Sequence, residues 1–121
     1  MQGEYVSSGI DDGLLLIRVD FAHDLSAAEQ ERAAAELVAA AGETDLPVAV
    51  VDLGGVGAAY SRFLAALLSV RQERSRRGGR VLLAALRPMV AKTLERCALD
   101  VLFEQFPTVE AAREAARVQP V

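Results

Sequence analysis

The stretch Val48-Ala-Val-Val-Asp-Leu-Gly-Gly-Val-Gly-Ala-Ala-Tyr-Ser-Arg-Phe-Leu-Ala-Ala-Leu-Leu68 decides how this chain folds. Its first part is apolar without alternation as far as Asp52, which is how a strand covered on both faces reads. Gly54, Gly55 and Gly57 follow within four positions, the mark of a tight loop. Ser61 then opens a run in which Phe63, Leu64, Leu67, Leu68 and Arg71 recur at helical spacing, and Gly78-Gly79 ends it. A buried strand therefore feeds through a glycine loop into an amphipathic helix.

Upstream, residues 4–10 form a weak strand and residues 14–21 a strong one. Asp11-Asp12-Gly13 between them is a hairpin signal, because Asp and Gly tolerate positive φ. Ser26 and Glu29 have capping-box spacing, which starts a helix that runs to about Ala41 and stops at Gly42. Downstream, residues 80–86 read as a second buried strand. Pro88 stands at the first position of a helix whose core stripe is Val90, Leu94, Cys97 and Ala98. Residues 102–106 suit a short edge strand, and Thr108 caps a last helix over residues 109–117. The predicted order is β-β-α-β-α-β-α-β-α. It describes one α/β domain over residues 1–121, with a mixed, mostly parallel sheet of about five strands, an N-terminal antiparallel hairpin and about four helices.

Composition narrows the function. With 121 residues there is room for one core. No apolar run approaches the ~18 residues of a membrane span, and the N-terminus lacks the basic and apolar regions of a signal peptide, so a cytoplasmic location is expected. A single cysteine, Cys97, forms no internal disulfide and fits a reducing compartment. Residues 1–60 hold eleven acidic and two basic side chains, and residues 61–121 six acidic and eleven basic. Folding that interleaves the two halves is the simpler reading of this split than steering toward a charged partner.

Enzyme chemistry finds no constellation. Gly55-Val-Gly57-Ala-Ala-Tyr60 has part of a dinucleotide fingerprint in a strand–loop–helix setting. However, Tyr60 replaces its third glycine and no acidic residue ends the following strand, so glycine serving the turn is the better reading and no cofactor is expected. The phosphate-binding Gly-Lys-Ser/Thr motif is absent. His23 beside Asp24 reads as a solvated loop residue, and Cys97 as a small buried hydrophobe on its helix stripe. One histidine and one cysteine do not make a conventional zinc site. The cluster Arg71, Arg74, Arg76, Arg77 and Arg80 lacks interleaved aromatics, so it reads as a solvated helix end and not as a nucleic-acid grip.

Ser61 has two compatible readings. As a helix N-cap its hydroxyl accepts an N–H bond worth about 1 kcal/mol. As a phosphorylation site it would place about two negative charges against the positive end of the helix, within a small apolar surface that includes Ala58, Ala59 and Phe63. Other functions stay open at this point: binding of a nucleotide or other anionic ligand at the glycine loop, or service as a switchless scaffold subunit, with a homo-oligomer left open.

The same residues resemble the STAS family of sulfate-transporter and anti-sigma-factor-antagonist domains. Asp52-Leu-Gly-Gly-Val56 is similar to the family's Asp-Leu-Ser-Gly-Val, and Tyr60-Ser61-Arg62-Phe63-Leu64 occupies the place of its Asp-Ser-Ser-Gly-Leu. Arg77-Gly-Gly-Arg-Val-Leu-Leu83, Leu99-Asp100, Leu102-Phe-Glu-Gln-Phe106 and the alanine-rich end resemble later family segments, and His23-Asp-Leu-Ser26 its entry to the first helix. The resemblance implies a non-enzymatic regulatory domain that binds a serine-kinase-type anti-sigma factor. It implies phosphorylation at Ser61 and a docking surface of Gly57, Ala58, Ala59, Tyr60, Arg62, Phe63 and Leu64. Tyr60 in place of the acidic residue, and Arg62-Phe63 in place of Ser-Gly, imply a divergent partner or a docking surface kept without the switch.

Overall fold

A computed structural model describes residues 1–21 and 24–118; His23 lies outside the described residues. The elements are β1 (Val6–Asp11), β2 (Leu14–Phe21), α1 (Ala27–Ala41), β3 (Val48–Val56), α2 (Ser61–Arg76), β4 (Arg80–Ala84), α3 (Pro88–Arg96), a 3-10 turn (Asp100–Leu102), β5 (Glu104–Phe106) and α4 (Val109–Ala116). The sheet order is β1-β2-β3-β4-β5, with β1 antiparallel to β2 and all later pairs parallel. Asp12 (φ 54°) and Gly13 (φ 75°) make the hairpin turn with the two positive φ angles that match strand twist. The Ser26 capping box is formed in both directions, with Oγ accepting the Glu29 N–H and Glu29 Oε1 accepting the Ser26 N–H.

Strand order sets the layers. β2, β3, β4 and β5 advance one way across the sheet, so right-handed crossovers put α1, α2 and α3 on the same face. There Leu15, Ile17, Ala49, Val51, Leu53 and Leu83 pack against Leu37, Phe63, Leu67, Val70 and Leu94 in the main core. α4 covers the other face, where Ala112 meets Val50, Leu82 and Ala84. β3 is thus enclosed from both sides, as its unbroken apolar run requires.

Three expectations are corrected. Cys97 is exposed, because α3 stops at Arg96: Ala98 turns to φ 56° and the Leu99 N–H reaches back to the Leu94 carbonyl, ending the helix before the stripe reaches Cys97. β4 ends at Ala84, because Ala85 (φ 60°) leaves the extended conformation. The arginine cluster is a solvated helix end only in part: Arg76 and Arg77 are exposed, but Arg74 is not. Arg74 is 3% exposed and donates to the carbonyls of Ala41 and Thr44 at the C-terminus of α1, where the helix dipole favours a cation; burial lowers its pKa, with Arg77 adding repulsion. Arg71 bonds the Leu102 carbonyl, Arg77 pairs with Asp45, and Arg80 holds Glu104 in a two-bond fork that raises its pKa. Pairs such as Arg62–Glu31 and Arg77–Asp45 join the basic and acidic halves of the chain.

The outer edge of the sheet is closed by a contact that periodicity does not reveal. The Glu36 carboxylate on α1 accepts the N–H groups of Glu4, Tyr5 and Val6 at 3.2, 2.8 and 3.0 Å. Met1 exchanges two hydrogen bonds with Ser8, so the start of β1 offers few unpaired groups to another strand. Replacing Glu36 with Ala leaves these amides unpaired and is expected to cost about 1–3 kcal/mol in urea unfolding. Glu29 adds a pH dependence. Hydrogen bonds from Ser26, then from the Tyr5 hydroxyl, hold its pKa below the ordinary 4.5. Because the folded value is the lower one, this contribution is complete above the ordinary glutamate range and disappears as pH falls through the folded value. Thermal melts across acid pH are expected to show a shallower decline for Glu29→Gln than for the wild type.

Candidate functional site

At the C-terminal end of β3, the Gly54-Gly55 segment is strand, not loop. The pairing of β2 with β3 shifts between Arg18 and Asp20: Arg18 lies opposite Asp52, and Asp20 opposite Gly55. β3 therefore carries one extra residue, a bulge. Side chains serve both backbone groups of Gly54. Asp52 Oδ1 accepts its N–H at 2.9 Å, and Arg87 Nε donates to its carbonyl at 3.0 Å. Gly55 is required by space, since a Cβ there would lie 2.5 Å from Asp20 Oδ1 and 2.9 Å from the Val19 carbonyl oxygen.

This arrangement argues against an anionic ligand at the glycines. The room beside Gly54 and Gly55 is taken by the carboxylates of Asp52 and Asp20, and the Gly54 N–H is already held by Asp52. Placing all three crossover helices on one face also leaves the topology without the switch point where open α/β sheets form a ligand crevice. Among the described residues no cluster of His, Cys, Asp or Glu is arranged to hold a metal ion.

The chain then leaves the sheet. The Gly57 N–H bonds the Phe21 carbonyl at 3.1 Å, and Ala58, Ala59 and Tyr60 lead to α2 half-buried. Tyr60 is fixed at both ends of its side chain. Its ring packs 5.9 Å from that of Phe21, and its hydroxyl accepts the Leu25 N–H at 3.0 Å. Phe63 stands edge-on to Phe21 at 5.2 Å in the core.

The expected N-cap role of Ser61 is corrected. Tyr60, with extended φ −75° and ψ 145°, is the capping residue, and no side chain caps the helix. The Leu64 N–H already bonds the Tyr60 carbonyl, so Ser61 is the first residue inside the helix and its hydroxyl cannot fold back as a cap. Ser61 is exposed, and the N–H groups of the first turn lack intrahelical carbonyls. Arg62 is exposed and pairs with Glu31 of α1 at 3.2 Å.

The predicted docking residues divide accordingly. Ala58, Ala59, Tyr60, Ser61 and Arg62 reach the surface, whereas Gly57, Phe63 and Leu64 are buried and shape it from beneath. Two further residues belong to this end of the sheet. Ala65 is exposed one turn after Ser61, and Met89 is exposed at the start of α3, which follows the neighbouring strand. An apolar residue standing off the Val90 and Leu94 stripe was the available signal for Met89.

Comparison with known proteins identifies the fold. The family model of the STAS domain matches residues 5–112, and the chain belongs to that family. It is accordingly a non-catalytic, regulatory protein-interaction domain. No curated protein matches the sequence. Among solved structures it is similar to a STAS domain protein of Planctomyces limnophilus, described as an anti-sigma-factor antagonist (TM-score 0.80, 20% identity, 93% of this chain and 98% of that one). It is also similar to an anti-sigma factor antagonist of Mycobacterium paratuberculosis (0.72, 24%, 93% and 93%). The Bacillus cell-fate determinant SpoIIAA in its phosphorylated form is a third (0.64, 16%, 91% and 97%). No helix among the described residues is long and apolar enough to cross a membrane.

The bulge generates a stability test. Asp52→Ala leaves the Gly54 amide without its acceptor and is expected to cost about 1–3 kcal/mol. Gly55→Ala forces β2 and β3 apart, and overpacking of this kind costs about 1–3 kcal/mol. Adding Asp20→Gly to Gly55→Ala is expected to restore only part of the loss in denaturant titration, because the Val19 carbonyl still opposes the new Cβ.

Proposed function

We propose that this domain acts as an anti-sigma-factor antagonist. It docks on a serine-kinase-type anti-sigma factor through the surface at the start of α2, so releasing a sigma factor, and phosphorylation of Ser61 ends the complex. The observation that supports this reading most directly is the position of Ser61, exposed at the first residue of a 16-residue helix whose N-terminus has no side-chain cap. A phosphoryl group there meets free helix N–H groups and the positive end of the dipole, worth about 0.3–1 kcal/mol at an exposed site. The fold therefore tolerates the modification with little rearrangement. About two added negative charges nevertheless alter the surface formed by Ala58, Ala59, Tyr60 and Ala65, and a partner packed there would have to desolvate them.

The departures from the family pattern assign roles within this reading. Tyr60 is held by Leu25 and Phe21, so it fixes the shape of the surface. Arg62, paired with Glu31, sets an ion pair next to the phosphoacceptor in sequence, which selects a partner able to accommodate it.

Affinity capture from the native cytoplasm, with mass spectrometry of the bound proteins and of Ser61, identifies the partner and the phosphorylation state. Titration of that partner is then expected to give wild-type affinity for Ser61→Ala and at least tenfold weaker binding for Ser61→Asp, about 1.4 kcal/mol. Equal binding by the two variants would mean docking without a switch, as for a scaffold subunit. Full binding after charge reversal at Arg62 combined with Tyr60→Ala would place the docking surface elsewhere.

A further inference from the structure

We infer that α4 is a charge-latched strap, which opens from the sheet as a local unit when two ion pairs to the β1–β2 turn are screened or removed. The helix is eight residues long, well below the length at which an isolated helix is stable in water, so its contacts must hold it. Its inward residues are small. Ala112 is fully buried, while Val109 and Ala116 are only partly so. No long side chain of α4 enters a core, in contrast with Leu37 of α1 or Phe63 and Leu67 of α2.

Charged contacts supplement this thin apolar seam. Arg113 Nη2 reaches Asp11 Oδ2 at 2.6 Å, and Arg117 Nη2 reaches Asp12 Oδ2 at 3.1 Å. These join the last helix to the first turn of the sheet, more than a hundred residues away in sequence. Arg80, already forked onto Glu104, adds a bond to the Val118 carbonyl at 3.2 Å. The sheet beside α4 is open, with a cavity of about 250 Å³ between Val109, Leu16, Gly9 and Arg18. Water therefore reaches the Val109 flank of the seam. Regions held by few apolar contacts and exposed polar bonds are those that open below the global unfolding free energy. Opening of the strap uncovers Val50, Leu82 and Ala84, an apolar strip on the face opposite α2.

Hydrogen–deuterium exchange of the full chain, read by peptide mass, tests this in wild type and in Asp11→Asn/Asp12→Asn. Peptides over residues 108–118 are expected to exchange faster than those of β3 and β4. Their opening is expected to rise roughly fivefold in the double variant, the combined worth of two exposed pairs. A similar rise is expected in wild type between about 25 and about 500 mM NaCl, where the screening length falls from roughly 20 to roughly 4 Å; the variant should lose this salt response. Restored low-salt protection on exchanging the charges of both pairs would identify the pairs themselves as the latch. Exchange of residues 108–118 at the same rate as β3, or rates indifferent to salt in wild type, would overturn it. The salt series in wild type decides the matter if a variant fails to fold.

Discussion

The constraint on which the molecule turns is that β3 must be buried on both faces and still deliver its end to the surface. Helices enclose it from both sides, so no side chain of its central run reaches water freely. The bulge at residues 52–55 makes the exit. An extra residue breaks the register against β2, and carboxylate and guanidinium groups take over the backbone bonds that the ladder no longer serves. Asp52, Gly54 and Gly55 are one device: a short acceptor, a residue with both backbone groups turned to side chains, and a position where a Cβ has no room. The loop to α2, and with it Ser61, starts from that device.

The charges of the chain follow a similar logic. Eleven acidic residues precede position 61, and most of the cations follow it. In the fold the two sets meet across elements, Glu31 with Arg62, Asp45 with Arg77, Asp11 with Arg113 and Asp12 with Arg117. Exposed pairs of this kind contribute little individually, yet they tie the ends of the chain together. The more decisive ionic contacts are those in which a charge serves backbone: Arg74 at the end of α1 and Glu36 at the edge of β1. In both, a side chain substitutes for hydrogen bonds that helix or sheet geometry cannot supply.

The surface at the start of α2 is defined by what lies beneath it. Phe63 and Leu64, which look like surface candidates in a run of docking residues, are pulled into the core by the 3.6-residue period of the helix. Tyr60, which interrupts a familiar pattern, becomes the anchor that positions its neighbours. As a member of the STAS family, the domain has a backbone suited to protein interaction. The side chains that depart from the family pattern, Tyr60, Arg62 and Phe63, flank Ser61.

The order of elements, their type, the parallel sheet and the hairpin were legible in the linear chain, because they depend on local periods and local signals. Two-residue and 3.6-residue hydrophobic spacing, a Ser–Glu capping box and an Asp-Gly turn act within a few positions of one another. The end of α3 at Cys97, the bulge in β3, the capping role of Tyr60, and the partners of Glu36 and Arg74 were decided only in three dimensions. The bulge and the partners of Glu36 and Arg74 depend on groups distant in sequence coming within hydrogen-bond reach, and the ends of α2 and α3 on exact backbone angles and single bonds; a hydrogen bond of about 3 Å leaves no trace in periodicity. The sequence by itself determined which residues must be hidden from water; the tertiary structure decided which polar groups would then be left to find one another.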